Sequence, residues 1–303
     1  MDRRTIALGV VAALAVVAAV AVTVANRTHT SAKRTAVASY ITQVNVVQEE
    51  LRAPLARVLK AYRDFGRGNA ANGGSARGLS GAVRTLTTVR RRTAALDAPP
   101  QAHRLRRLIL ALMDEQIAVS REVQQLAAFT PRYRAALAEL QRAGQVLSAS
   151  LTAITPPKSH RLTGTRKQIL QAQATYAAAA VRAEEAQALA VDDYDGSLLL
   201  VLRHLRRLRP PRALTPAFAA QVRSITTIRA TGARLSAALR SGDRSVVPSA
   251  GAAFTSASRI SQSLTAQKAE IAAIKAYNRR ARAVSAAAGR VQREVAHLQQ
   301  TVA

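Results

Sequence analysis

One pair of residues in this chain has the spacing of metal ligands on a helix. Glu294 and His297 are three residues apart, as in each half of a di-iron site built inside a helical bundle. Such a site needs a second Glu-x-x-His pair and two further glutamates, and the sequence contains no other Glu-x-x-His. The pair therefore predicts exposed charges on a helix rather than a metal centre.

An acidic segment at residues 192–196 has the composition of a calcium loop, with three aspartates before a glycine. If Gly196 takes the place of the glycine in such a loop, Val191 falls at the first ligand position and Leu202 at the last. Neither side chain binds calcium. The segment instead predicts a turn in which Asp195 caps the helix that follows.

The remaining chemistry-bearing residues do not form a reactive centre. His103 and His160 follow two proline pairs at equivalent positions, but no carboxylate or thiol accompanies them in the sequence. The chain has no cysteine, no phosphate-binding glycine loop and no nucleophile motif. Neighbouring carboxylates diverge on a helix and so predict exposed charges rather than acid–base pairs: Glu49–Glu50, Asp114–Glu115 and Glu184–Glu185. We expect a protein that is not an enzyme and that needs no cofactor or metal.

Arginine gives the chain its strongest chemical character. The sequence has 45 basic and 17 acidic residues and a formal charge of +28. A chain with this much positive charge attracts anionic lipid headgroups or polyanions of a cell envelope at low salt. Nucleic acid is a poor fit because aromatic residues, on which bases stack, make up only 3% of the chain.

An uncharged segment at residues 6–25 predicts where the chain sits. Twenty residues at about 1.5 Å each give a helix of about 30 Å, the thickness of the hydrocarbon core of a bilayer. We expect a transmembrane anchor, with residues 1–5 in the cytoplasm, a connector at 26–34 and a body at 35–303 outside the plasma membrane. The alternative is a cleaved signal peptide and a secreted body, because small-x-small sites occur at residues 19–21 and 23–25.

The body has the pattern of an all-α protein: an antiparallel multi-helix bundle or an array of helical hairpins. Apolar residues recur at three- and four-residue steps, and the aromatic residues typical of strands are few. The first helix, at about 35–65, should kink at Pro54, and a loop should follow at 66–78. Further breaks are predicted at Pro131, at residues 192–196 and at three proline pairs. A long C-terminal helix at 248–302 offers a surface for a protein partner or for self-association.

The proline pairs recur at a similar spacing. They stand at residues 99–100, 156–157 and 210–211, and the first two are followed by matching His-Arg-Leu segments. The pattern predicts hairpin repeats at about 79–129, 132–189 and 197–241, although an Ala/Leu/Arg-rich background also produces such matches by chance. Helices that alternate in direction would place all three corners at one pole, facing the bilayer.

Arginines crowd these corners, so the sequence predicts a basic, membrane-proximal pole. We therefore expect a membrane-anchored binding or scaffold protein whose pole contacts anionic lipid or envelope polymers; the alternative is a ligand-sensing helical module. The residues expected to contact anions are Arg90, Arg91, Arg92, Arg104, Arg106, Arg107, Arg161, Arg203, Arg206, Arg207, Arg209 and Arg212. Solvated charges at helix ends would give the same pattern.

Overall fold

A computed structural model describes residues 32–66, 74–155, 165–243, 245–263 and 265–301 of the chain. Within these ranges the protein is all-helical, as the spacing of its apolar residues predicts. The predicted anchor at 6–25, the second proline pair at 156–157, His160 and Arg161 lie outside the described residues. None of the described helices is long and apolar enough to cross a membrane.

Eight α-helices are present in the described ranges, and two of them follow short 3₁₀ turns at Pro100–Ala102 and Arg212–Leu214. We number the α-helices in chain order: α1 is Ala32–Glu49, α2 Arg52–Gly66, α3 Gly74–Ala95, α4 His103–Ala153, α5 Arg166–Arg206, α6 Thr215–Ser241, α7 Val247–Ser263 and α8 Thr265–Thr301.

The first predicted helix is two helices. The first ends at Glu49 and the second begins at Arg52, so the chain breaks ahead of Pro54 instead of kinking there. A proline ring clashes with the carbonyl four residues earlier, which here belongs to Glu50, and the break falls there. Pro54 then stands in the first turn of α2, where its missing N–H leaves no helical hydrogen bond unmade.

The break predicted at Pro131 is wrong. This residue lies inside α4, and the helices expected on either side of it are one helix of 51 residues. An internal proline costs about 3 kcal/mol. Apolar contacts on both sides of it offset this cost, because Phe129 and Tyr133 are both buried.

The turn predicted at residues 192–196 is also wrong. Residues 192–196 lie inside α5, so Asp195 does not cap a new helix. It instead accepts two hydrogen bonds from Arg229 of α6, at 2.8 Å each. Because Arg229 supplies the donors, the carboxylate of Asp195 does not have to accept hydrogen bonds from backbone N–H groups at a helix N-terminus. α5 continues through Gly196.

Other helix ends follow the sequence. Thr165 and Gln168 form the predicted capping box at the start of α5, and Gly242 ends α6 with a positive φ of 68°. The hydroxyl of Thr215 does not cap α6, however, because it donates to the carbonyl of Pro211 at 3.3 Å. Residues 74–78 belong to α3 rather than to the predicted loop. The predicted C-terminal helix is present as α7 and α8.

The chain divides into two compact units. Among described residues, the first comprises 32–131 and 272–301 and the second 132–271. The core of the first unit is aliphatic and is contributed by α1 to α4 and α8, with Tyr62 and Tyr277 stacked at 3.4 Å between ring centroids. In the second unit small residues bring helices close: a Cβ on Gly232 would lie 3.3 Å from Phe254 and 3.6 Å from Val191.

Candidate anion-binding site

The arginines of the first proline corner are mostly occupied within the first unit. Arg90 binds both carboxylate oxygens of Asp114, at 2.7 and 2.9 Å, and Arg92 binds those of Glu50, at 2.7 and 2.8 Å. The hydrogen bonds to Asp114 raise the pKa of Arg90. These arginines join α3 to α4 and to the end of α1, so they hold the bundle together.

Two more arginines of this corner and a histidine are also engaged. Arg106 donates to the carbonyl of Ala94, and Arg104 binds Glu294 of α8 at 3.1 Å. His103, considered above as a metal ligand, donates through Nε2 to the carbonyl of Ala98 at 3.0 Å. Of the six arginines predicted here to contact anions, only Arg91 and Arg107 are exposed and have no such partner within the described ranges.

The third proline corner, in the second unit, is different. Five arginines at the end of α5 and the start of α6 are exposed, and within the described part of the chain none has an acidic partner. We call this group the basic corner; it consists of Arg203, Arg206, Arg207, Arg209 and Arg212. The C-terminal dipole of α5 favours positive charge at this position, which explains how so many arginines are tolerated together.

The backbone of the basic corner is held by hydrogen bonds and packing. Leu214 donates its N–H to the carbonyl of Pro211 at 2.8 Å and closes the 3₁₀ turn that leads into α6. Leu205 and Pro211 are buried, so the connection is anchored to the core of the unit. The same device closes the first corner, where Ala102 donates to Pro99 at 2.8 Å. The arginine side chains therefore extend from a fixed turn.

Two acidic groups of the second unit are already engaged. Glu139 of α4 lies 2.8 Å from Nδ1 of His204, in the last turn of α5. Further along α5, Asp192 binds Arg240, and hydrogen bonds from Ser236 and Arg240 lower the pKa of this aspartate. Glu139 and Asp192 thus join helices and do not neutralise the basic corner.

Leu200, which lies beside these arginines, was not predicted from the sequence to be part of the site. The run at residues 198–202 suggests a helix buried on all sides, and Leu198 and Leu202 are buried. Leu200, however, is 53% exposed. It stands three residues before Arg203 and seven before Arg207, so all three share one face of α5. This spacing, apolar then basic on one stripe, is the signal that could have identified it.

The common pole predicted for the three corners loses its basis. It assumed that helices alternate in direction between successive corners, with a reversal at Pro131. Because α4 runs unbroken from His103 to Ala153, that reversal does not exist. The basic corner is therefore the group of predicted anion contacts that remains together and, in the described part of the chain, unpaired. Most of the first-corner arginines are engaged within the first unit.

Other chemistry-bearing residues do not converge. The exposure predicted for Glu294 is wrong, because this residue is buried and paired with Arg104, whereas His297 is exposed. No group of three or more histidines and carboxylates in the described ranges is placed to hold a metal ion. An open cavity of about 550 Å³ lies between α6 and α7, lined mainly by small residues, with Arg234 as its charged group. A sensor would need several polar groups aimed into such a cavity.

Comparison of the chain with protein families, with curated proteins and with solved structures gave no match.

Proposed function

We propose that this protein is a membrane-tethered helical binding protein whose basic corner contacts the headgroups of anionic lipids. The observation that carries the proposal is the set of five exposed arginines, unpaired within the described residues, on a turn fixed by Pro211 and Leu214. Each arginine near an anionic surface contributes about 1 kcal/mol of attraction. A cluster of this size therefore supports binding that depends on lipid charge.

The tether is residues 6–25, which hold the body at the bilayer and keep the local concentration of headgroups high. In this arrangement the body lies on the extracytoplasmic side. The function is one of binding or scaffolding rather than catalysis, and it requires no cofactor.

Leu200 favours lipid over a soluble polyanion as the partner. An exposed leucine that precedes two arginines on one helical face suits the boundary between headgroups and acyl chains. A water-soluble polymer would pair with the arginines and leave this leucine in water. Lipid headgroups and envelope polymers both offer phosphate or carboxylate groups, so the experiment has to separate them.

The test places a reporter at the basic corner of the full-length chain. Because the chain has no cysteine, Thr215→Cys provides a single site for an environment-sensitive dye. The protein is reconstituted in nanodiscs of neutral lipid or of neutral and anionic lipid mixed. We expect a blue shift of the dye in anionic discs only, and its loss in the triple variant Arg203→Gln, Arg206→Gln, Arg207→Gln.

A matched control removes the same charge elsewhere in the second unit. Arg142, Arg223 and Arg259 are exposed, and no acidic partner is found for them in the described part of the chain. Their replacement by glutamine should leave the blue shift intact. A shift that is the same in neutral discs, or that both triple variants abolish equally, would contradict the proposal. A shift in anionic discs that soluble polyphosphate abolishes at low concentration would assign the site to a polymer instead.

A further inference from the structure

The first 14 residues of α5, at positions 166–179, include no buried residue. α6 contacts α5 as far back as Ala188, whose carbonyl accepts a hydrogen bond from Ser236, and α6 ends five residues after Ser236, at Ser241. Between residues 166 and 179 every position is exposed or half-buried. A helical segment of this length is marginal in water without packing, so a partner that covers it would stabilise it.

The sequence of this segment has a symmetric pattern. Exposed residues at spacings of four, four, three, four and four lie on one stripe of α5, about 100° wide. We call this stripe the α5 stripe; it consists of Arg166, Leu170, Ala174, Ala177, Val181 and Glu185. It begins with a positive charge, ends with a negative charge and has an apolar or small residue at each position between.

We infer that the α5 stripe binds the same stripe of a second copy of this chain, with the two helices antiparallel. A two-fold axis between residues 175 and 176 places Arg166 opposite Glu185, Leu170 opposite Val181 and Ala174 opposite Ala177. Every position thus meets a complement, and each charge meets the opposite charge at both ends of the interface. The two alanines at the axis let the helix backbones approach closely.

Charge supports a second copy as the partner rather than another molecule. A chain of net charge +28 repels its copy over most of its surface, and self-pairing requires a patch without excess positive charge. The α5 stripe carries one charge of each sign. Arg166 and Glu185 are exposed, and the described residues contain no ion-pair partner for either. Leu170 and Val181, at 57% and 58% exposure, are the apolar surface that the pairing would remove from water.

The interface is small. Twenty residues span about 30 Å of helix, which buries less area than a standard protein interface, so we expect a weak dimer that a shared membrane would promote. This inference does not depend on the proposed contact of the basic corner with lipid, because the α5 stripe and the basic corner share no residue.

A charge exchange tests the pairing in the full-length chain. Each substitution alters two ion pairs of the dimer, so we expect Arg166→Glu or Glu185→Arg alone to weaken dimerisation about tenfold. Sedimentation in density-matched detergent micelles measures this change. The variant that carries both substitutions should restore dimerisation, because the opposite charges face each other again. Only a second copy of the chain gives this restoration. Single variants without effect, or a double variant that does not recover, would overturn the inference.

Disulfide cross-linking tests the register. A mixture of an Ala174→Cys variant and an Ala177→Cys variant should form a cross-linked dimer under mild oxidation. Ala172→Cys with Ala179→Cys is the matched control, since these positions have the same register on the opposite side of α5. Equal cross-linking of the two mixtures would overturn the inference. A second result would also overturn it: the chain stays monomeric, and only added lipid vesicles protect the thiol at position 174 from labelling. That result would assign the α5 stripe to contact with a bilayer.

Discussion

Replacement of Gln116 by methionine should stabilise the protein. Gln116 is 1% exposed in the core of the first unit, and neither its amide nitrogen nor its amide oxygen has a hydrogen-bond partner among the residues that the structure describes. A buried polar group in this situation costs about 1–3 kcal/mol. Methionine has a similar length and volume and carries no strong polar atoms, so it removes this cost without leaving a cavity.

The expected gain is about 1–2 kcal/mol in the free energy of unfolding. For a chain of this size that corresponds to a rise of about 2–8 °C in the melting temperature. Urea unfolding followed by far-UV circular dichroism measures the gain, with Gln125→Met as the control because Gln125 is exposed on the same helix. The control should change stability by less than about 0.5 kcal/mol.

A loss of more than about 1 kcal/mol in Gln116→Met would refute this reasoning. It would mean that the amide of Gln116 is hydrogen-bonded in solution, and that the buried glutamine contributes to stability. An unchanged stability would mean that the desolvation cost is already offset, which also contradicts the prediction.

Three further predictions concern packing and charge. Burial raises the pKa of Tyr62 to about 12, above the ordinary tyrosine value of 10.0, and it raises the pKa of Tyr277 as well. The stability due to Tyr62 is therefore complete below pH 10 and is lost as the pH rises to about 12. Alkaline unfolding followed by tyrosinate absorbance should show it, and ionisation of both residues in the folded protein would contradict it. Arg104→Ala should lower the free energy of unfolding in urea by about 1–2 kcal/mol, because it leaves the carboxylate of Glu294, 7% exposed, without its cation; the loss is modest because Arg104 itself is 69% exposed and screened by water. Glu294→Gln should lower it less, and the reverse order would contradict the account. Gly232→Leu should lower the free energy of unfolding by about 1–3 kcal/mol through overpacking, and an unchanged melting temperature would show that α6 and α7 can separate without loss.

The helical nature of the protein follows from its sequence, because apolar spacing depends on local geometry alone. The positions of the breaks were predicted less well. Pro54 shows why: the ring acts on the carbonyl four residues earlier, so the break stands at Glu50 rather than at the proline. Pro131 ends no helix, yet it is the last residue before the boundary between the two units.

The candidate site was predicted in part for a similar reason. Clusters of arginine are visible in the sequence, but whether each arginine is free depends on distant residues. Arg90 meets Asp114 and Arg92 meets Glu50 through the packing of helices, and no local pattern indicates these pairs. Arg203 and Arg207 have no such partner in the described residues. Tertiary contacts therefore decide which basic residues are available, and the sequence alone does not specify them.

The proposed function depends on the retention of the chain at a bilayer by residues 6–25. Alkaline extraction of membranes from cells that express the full-length chain tests this directly, since it releases peripheral proteins and retains those with a spanning segment. We expect the chain to stay in the membrane pellet, and a variant with Val11→Lys and Ala18→Lys to move to the supernatant, because charges at these depths oppose insertion. Release of the unaltered chain by alkali would contradict the account.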